Sequence, residues 1–252
     1  MSFDWLVARP IAHRGWHGPG RPENSIAAAN AAAQAGFAIE CDVVRSADGE
    51  AMVFHDSSLR RLTGASGAVA ERDAAALGAL RLQGTGERIP TLAALLGEIA
   101  GRVPLVCEIK SGFDGDFRLA ERAAEVAADY AGPLAFKSFD PQVIAHLRAA
   151  GSARALGIVA EARYDDGYFA EMSPEQKRDC IDFTHLGRTQ PDFLSWSVAD
   201  LPHAAPSLTR ALGRKPVMAW TVRRPEQWAR ARAFADQAVF EGDPQDGEIG
   251  QR

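Results

Sequence analysis

The feature that most restricts this chain is a repeated alternation: a short apolar run, a few polar residues, then an alanine-rich stretch of helical length. Nine such runs stand out, at residues 10–12, 37–43, 51–54, 104–109, 134–139, 155–159, 192–195, 217–222 and 238–240. They are apolar on both sides rather than every second residue, as strands covered on both faces should be. Strands alternating with helices build βαβ units and a parallel sheet. At 252 residues the chain has room for one barrel or two domains. The alternation predicts one α/β domain over the whole length, an irregular (β/α)8 barrel.

Helix ends are legible. Asn24 or Ser25 can cap a helix that runs to Gln34 and is closed by Gly36. Asp140-Pro141 and Arg224-Pro225 each set proline in a first turn, where its missing N–H costs nothing. Ser173-Pro174-Glu175-Gln176 reads as a capping box.

The ninth strand has an explanation. Only Val44 to Glu50 separate the second and third runs, too few residues for a crossover helix. Asp48-Gly49 within them is a hairpin signal. A two-residue turn there would set Asp42 opposite His55. Residues 57–102, rich in glycine and charge around one convincing helix at 91–99, read as a small cap-like insertion after the third strand.

Charge and cysteine narrow the function. With 28 basic and 33 acidic residues the net charge is −5, and no lysine-rich run occurs. This argues against a nucleic-acid partner and against stable membrane association. Three cysteines, at 41, 107 and 180, form no C-x-x-C pair and no disulfide framework, which suits a reducing cytoplasm. The N-terminus does not read as a secretory signal, and no window reaches the ~18 apolar residues of a membrane span. Oligomeric state is not legible.

Chemistry is expected where strands end, because in a parallel barrel the loops after the strands share one face. The first strand ends in His13-Arg14-Gly15, the second carries Glu40 and Asp42, the third ends in His55-Asp56, and the fourth carries Glu108 and Lys110. Each i, i+2 pair points to one side of its strand. Three carboxylates converging without cysteine make an oxygen-rich set suited to one divalent cation, Mg²⁺ or Ca²⁺. Either acid-x-acid pair alone could be a structural ion pair; both at strand ends, beside histidines, point to function. His13 and His55 can carry protons near neutrality. Arg14, a planar fork of donors, suits a phosphate oxygen, and Lys110 adds a compact charge, although either could pair structurally with Glu40 or Glu108. His17, His146, His185 and His203 lack such context and read as ordinary core or surface residues.

At these residues the sequence resembles the glycerophosphodiester phosphodiesterase family. The matching motifs are His13-Arg14-Gly15, Pro22-Glu23-Asn24-Ser25, Glu40-Cys41-Asp42-Val43, Asp48-Gly49, His55-Asp56, residues 59–64, Ile89-Pro90-Thr91-Leu92, Glu108-Ile109-Lys110, Ser138-Phe139-Asp140-Pro141 and Trp220-Thr221-Val222, in the family's order over residues 11 to about 244. The resemblance implies a TIM barrel that hydrolyses glycerophosphodiesters to sn-glycerol 3-phosphate and an alcohol. On the matching positions it makes Glu40, Asp42 and Glu108 the metal ligands and His13 and His55 the acid/base pair. Arg14 and Lys110 become the phosphate grip, and Phe139 and Trp220 aromatic walls of the pocket. Glu23 and Asn24 would order the first loop. It also implies attack by the substrate's own glycerol hydroxyl, which gains effective molarity. Two departures stand: Ser25 replaces the family's usual Thr, and residues 236–244 lack its usual C-terminal motif. The alternatives are a phospholipase-like barrel releasing a cyclic phosphate from a lipid, a non-catalytic phosphate-ester-binding barrel, and an amidohydrolase-type metal barrel, which would want His-x-His on the first strand.

Overall fold

The computed structural model describes residues 4–244. Strands and helices alternate in the expected order, and side-chain caps start several of the helices. Ser25 accepts from the Ala28 N–H and Gly36, at φ 79°, closes helix Ile26–Ala35. Asp140 caps Pro141–Ala149, and Ser173 and Gln176 form the capping box of Pro174–Asp182.

Two compact units share the chain. The first comprises residues 11–110 and 117–134. Within it β1 (Ile11–Ala12), β2 (Ala38–Arg45), β3 (Ala51–Val53) and β4 (Leu105–Ile109) form one set. β1 and β4 run parallel to β2, with Ile11 beside Ala38, Cys41 beside Cys107 and Asp42 beside Glu108, while β3 is antiparallel to β2. The second unit holds residues 111–116 and everything described from 135 onward, together with residues 4–10. Its strands are β5 (Leu134–Ser138), which begins at the boundary, β6 (Ala155–Ala160), β7 (Phe193–Ser197), β8 (Val217–Val222) and β9 (Gln237–Phe240), all parallel. Eight parallel strands alternating with helices, plus antiparallel β3, make the fold class the irregular (β/α)8 barrel.

The hairpin differs from expectation by one residue. Val43 faces Val53 and Arg45 faces Ala51, and the Phe54 N–H donates to the Asp42 carbonyl at 3.1 Å, so Phe54 rather than His55 pairs with Asp42. The loop has three residues, Ala47 to Gly49, closed by Ser46 N–H to Glu50 O at 3.0 Å, with Gly49 at φ 92°. Glycine in the left-handed region is what a three-residue hairpin requires at that position. A two-residue turn would have needed positive φ at Asp48 as well.

Residues 57–102 carry the short helices Arg60–Thr63 and Ala74–Ala79 before Leu92–Ile99. Leu59, Val69, Leu77, Leu82 and Ile89 bury against Val44, Met52 and Phe54 of the hairpin. This small core supports the outer end of β2. All three cysteines are buried thiols. Among the described residues no helix is long and apolar enough to cross a membrane.

Candidate active site

The first unit gathers the charged residues. β2 places Glu40 and Asp42, and β4 places Glu108, all buried, with Asp42 and Glu108 in register. One carboxylate oxygen from each of the three lies within 4.8 Å of the others. That spacing and an all-oxygen donor set fit a hard divalent cation.

The loop after β1 brings His13 and Arg14 to these acids in a tight conformation. Arg14 and Asn24 both sit in the left-handed region, at φ 57° and 56°, which is uncommon for residues with side chains. Gly15, at φ 77°, donates its N–H to the Glu40 carbonyl at 3.1 Å, and a Cβ there would meet the Ala28 backbone at 2.8 Å. The loop is thus pinned between β2 and helix Ile26–Ala35. The Arg14 N–H donates to Glu40 Oε2 at 3.0 Å, and His13 Nε2 lies 3.8 Å from the same oxygen.

Asp42 is the electrostatic centre. Lys110 Nζ is 2.8 Å from its Oδ1 and also bonds Glu108. Arg14 Nε is 3.2 Å from its Oδ2. Asn24 clamps it from both ends, donating to Oδ2 at 2.9 Å and accepting the Asp42 N–H at 3.2 Å. Burial alone would raise the Asp42 carboxyl; Lys110 and Arg14, with His55 and His13 behind them, outweigh it and hold the group well below the ordinary carboxylate range. Lys110 therefore pairs with both Asp42 and Glu108.

His55 stands partly exposed, its Nδ1 2.8 Å from Asp56 Oδ1. Asp56 in turn takes both the Nε and an Nη of Arg61 at 2.6 and 2.8 Å, and Arg61 reaches Glu23 with two further bonds of 2.8 Å. Glu23 accepts from Arg14 at 2.6 Å. A continuous chain of contacts thus runs from Arg14 through Glu23, Arg61 and Asp56 to His55, with Arg61 gripping both Glu23 and Asp56 bidentately. Glu23 and Asn24 were expected in the first loop. Arg61 was not singled out, and its signal lay inside the motif at 59–64.

The second unit holds the aromatic residues. Phe139 follows β5 directly, and its ring meets Trp220 of β8 at 5.4 Å and 87° and Tyr168 at 5.6 Å and 61°. Phe113, Tyr164 and Phe169 fill in behind them. Asp140 is tied to Ser111 at 2.6 Å, and burial, the largest influence, raises its carboxyl. His185 is fully buried with only Nδ1 partnered, by Thr189 at 3.2 Å.

These features can be set against known proteins. A family model described as the glycerophosphoryl diester phosphodiesterase family matches residues 13–245. The chain belongs to that family.

A protein of Mycobacterium tuberculosis named "Probable glycerophosphodiester phosphodiesterase 2" is 37% identical over 114 residues, 44% of this chain and 43% of that one. The match spans less than half of that curated relative. Among solved structures, a phosphodiesterase of Oleispira antarctica in complex with the product sn-glycerol-3-phosphate has a TM-score of 0.77 at 24% identity, covering 94% of this chain and 93% of its own. A putative glycerophosphoryl diester phosphodiesterase of Silicibacter pomeroyi has a TM-score of 0.75 at 22% identity, covering 94% and 90%. That of Thermotoga maritima has a TM-score of 0.68 at 21% identity, covering 91% and 92%. At these identities the likeness speaks for the barrel fold. The family match reaches nearly every motif read from the sequence, from His13 to Trp220.

Proposed function

We propose that this protein hydrolyses glycerophosphodiesters to sn-glycerol 3-phosphate and an alcohol, assisted by one divalent cation, Mg²⁺ or Ca²⁺. The observation that carries the reading is the convergence of Glu40, Asp42 and Glu108 oxygens within 4.8 Å, with His13 and His55 close enough to act on the charge of Asp42. Family membership supports it, as does a structural neighbour holding sn-glycerol-3-phosphate.

Glu40, Asp42 and Glu108 would hold the cation, which when bound supplies positive charge to offset that developing on the phosphoryl oxygens. Arg14 and Lys110 offer N–H donors to those oxygens, and both side chains keep some exposure, 15% and 11%. The Asp56 contact at Nδ1 of His55 favours a proton on that nitrogen and leaves Nε2 as acceptor, the arrangement of a general base. His13, beside the Glu40 carboxylate, would hold a proton for the leaving alkoxide. The chain of contacts through Arg61 and Glu23 keeps base and phosphate grip in one geometry. Phe139 and Trp220, whose rings meet at 5.4 Å, keep the aromatic role that the family resemblance implies. The whole chain acting as one catalytic domain, with residues 57–102 as a cap, and a cytoplasmic setting matching three unpaired thiols, belong to the same proposal.

The test is glycerol 3-phosphate release from glycerophosphoglycerol, read with a coupled dehydrogenase, with and without chelator. Activity is expected to vanish with chelator and return with Mg²⁺ or Ca²⁺. Undiminished turnover after metal removal, or full activity in His55→Ala, would sink the mechanism.

A further inference from the structure

Resting on that reading, we infer that Asp140 is a positioning residue for the phosphate grip: through Ser111 it fixes the stretch of backbone that carries Lys110. β4 ends at Ile109, and Lys110 is the next residue. On its N-terminal side the chain is held by β2, the Lys110 N–H donating to the Val43 carbonyl at 3.1 Å. On its C-terminal side Ser111 Oγ donates to Asp140 Oδ2 at 2.6 Å and accepts the Phe113 N–H at 2.9 Å. The backbone around Lys110 is therefore tied at both ends. Freedom given up in folding is not given up again when a ligand is gripped, so a long, flexible lysine gains from a fixed root.

Asp140 does more than a helix cap requires. Its Oδ1 accepts the Gln142 N–H at 2.9 Å at the start of helix Pro141–Ala149. One acceptor is enough for a cap, and a serine hydroxyl supplies it at Ser25 and Ser173. A carboxylate is harder to bury. Asp140 is 1% exposed, and that burial, the largest influence on it, raises its carboxyl. What the carboxylate adds over a hydroxyl is a second oxygen, and that oxygen meets Ser111.

The surroundings hold both partners of this bond in place. The Asp140 N–H donates to Ser138 Oγ at 3.1 Å, which seats the acid on the end of β5. Phe113 sits in the left-handed region at φ 57°, uncommon for a residue with a side chain. Its carbonyl accepts from Gln176 Nε2 at 2.8 Å. Backbone of that kind persists where several contacts determine it together. Ser111 is thus bonded to Asp140 directly and steadied by a loop that is itself anchored. The motif Ser138-Phe139-Asp140-Pro141 gains a task for its serine and its acid.

The experiment is a double-mutant cycle on glycerol 3-phosphate release from glycerophosphoglycerol. Ser111→Ala removes the link and leaves Asp140 its cap. Its kcat/KM is expected to fall about tenfold, and Ser111→Thr, which restores the hydroxyl, should recover most of the loss. In a Lys110→Met background the same Ser111→Ala change should cost less than about twofold, because the side chain it places is gone. Where Lys110→Met turns over too slowly to time, the cycle is read on the Kd of sn-glycerol 3-phosphate by calorimetry. A bond that only stabilised the fold would cost the same in both backgrounds. Full activity in Ser111→Ala, no recovery with threonine, or equal losses with and without Lys110 would overturn the inference and leave the phosphodiesterase reading standing. A wild-type enzyme that releases no glycerol 3-phosphate would end both.

Discussion

Two groups of acids at strand ends live in opposite company. In the first unit Glu40, Asp42 and Glu108 are buried, and Arg14, Lys110 and Asn24 bind Asp42 and its neighbours so closely that Asp42 stays ionised. In the second unit burial, and after it the charges of Asp166, Asp200 and Asp165, raise the Glu161 carboxyl to about 7, with no cation among the charges acting on it. Burial raises both carboxyls, and the partners then overturn that rise at Asp42 and add to it at Glu161. A neutralised acidic set can hold a charged ligand in a fixed place. One without cations holds its proton to higher pH instead.

The comparison breaks most visibly at the histidines. Replacing His55 by alanine should lower kcat by roughly 10²–10⁴ with the melting temperature little changed, because its side chain is partly exposed. Alanine at the buried His185 should leave turnover far less affected. Similar losses of kcat in the two variants would remove the assignment of proton transfer to the first unit.

Acid should act on the second unit through that same residue. Burial, opposed by Asp179 and aided by Arg188, lowers His185 to about 4 from an ordinary 6.5. A base whose folded value is depressed is protonated first in the unfolded chain. Its contribution is therefore complete above about pH 6.5 and is lost as pH falls towards 4, by about 3 kcal/mol. Urea melts of wild type and His185→Phe between pH 7 and 4 should show the wild type losing that much more; parallel curves would contradict it.

Arg61→Ala sharpens the contrast from the other side. It cuts the link between Glu23 and Asp56 that fixes His55, so kcat should fall about tenfold and the acidic limb of the pH–rate profile should move, with KM little affected. An unmoved profile would make Arg61 a surface ion pair and nothing more.

The smallest effect separates two helix caps. Ser25→Ala and Ser173→Ala each remove one cap, bonded to Ala28 N–H at 3.1 Å and Gln176 N–H at 3.2 Å, and each should cost about 1 kcal/mol of stability in a denaturant melt. Only Ser25, adjoining Asn24 and bonded to the Pro22 carbonyl, should also lower kcat, by a few fold. Identical activities would show that the first loop holds its shape without its cap.

Local signals in the sequence carried a great deal. Alternating apolar runs and capping residues at Ser25, Asp140 and Ser173 determined the strand and helix order, because caps and two-sided burial are decided within a few residues. The i, i+2 acids on β2 and β4 were legible for the same reason: pleating alone sends both members of a pair to one side. Tertiary structure decided what spacing cannot encode. It decided that the hairpin loop has three residues, since loop closure follows the backbone angles of Asp48 and Gly49. It decided that Arg61, from a separate short helix, joins Glu23 to Asp56. It set Glu161 among acids of its own sign. Each depends on which distant segments meet and on how far water is excluded between them, and a charged side chain's partners and ionisation follow from that meeting.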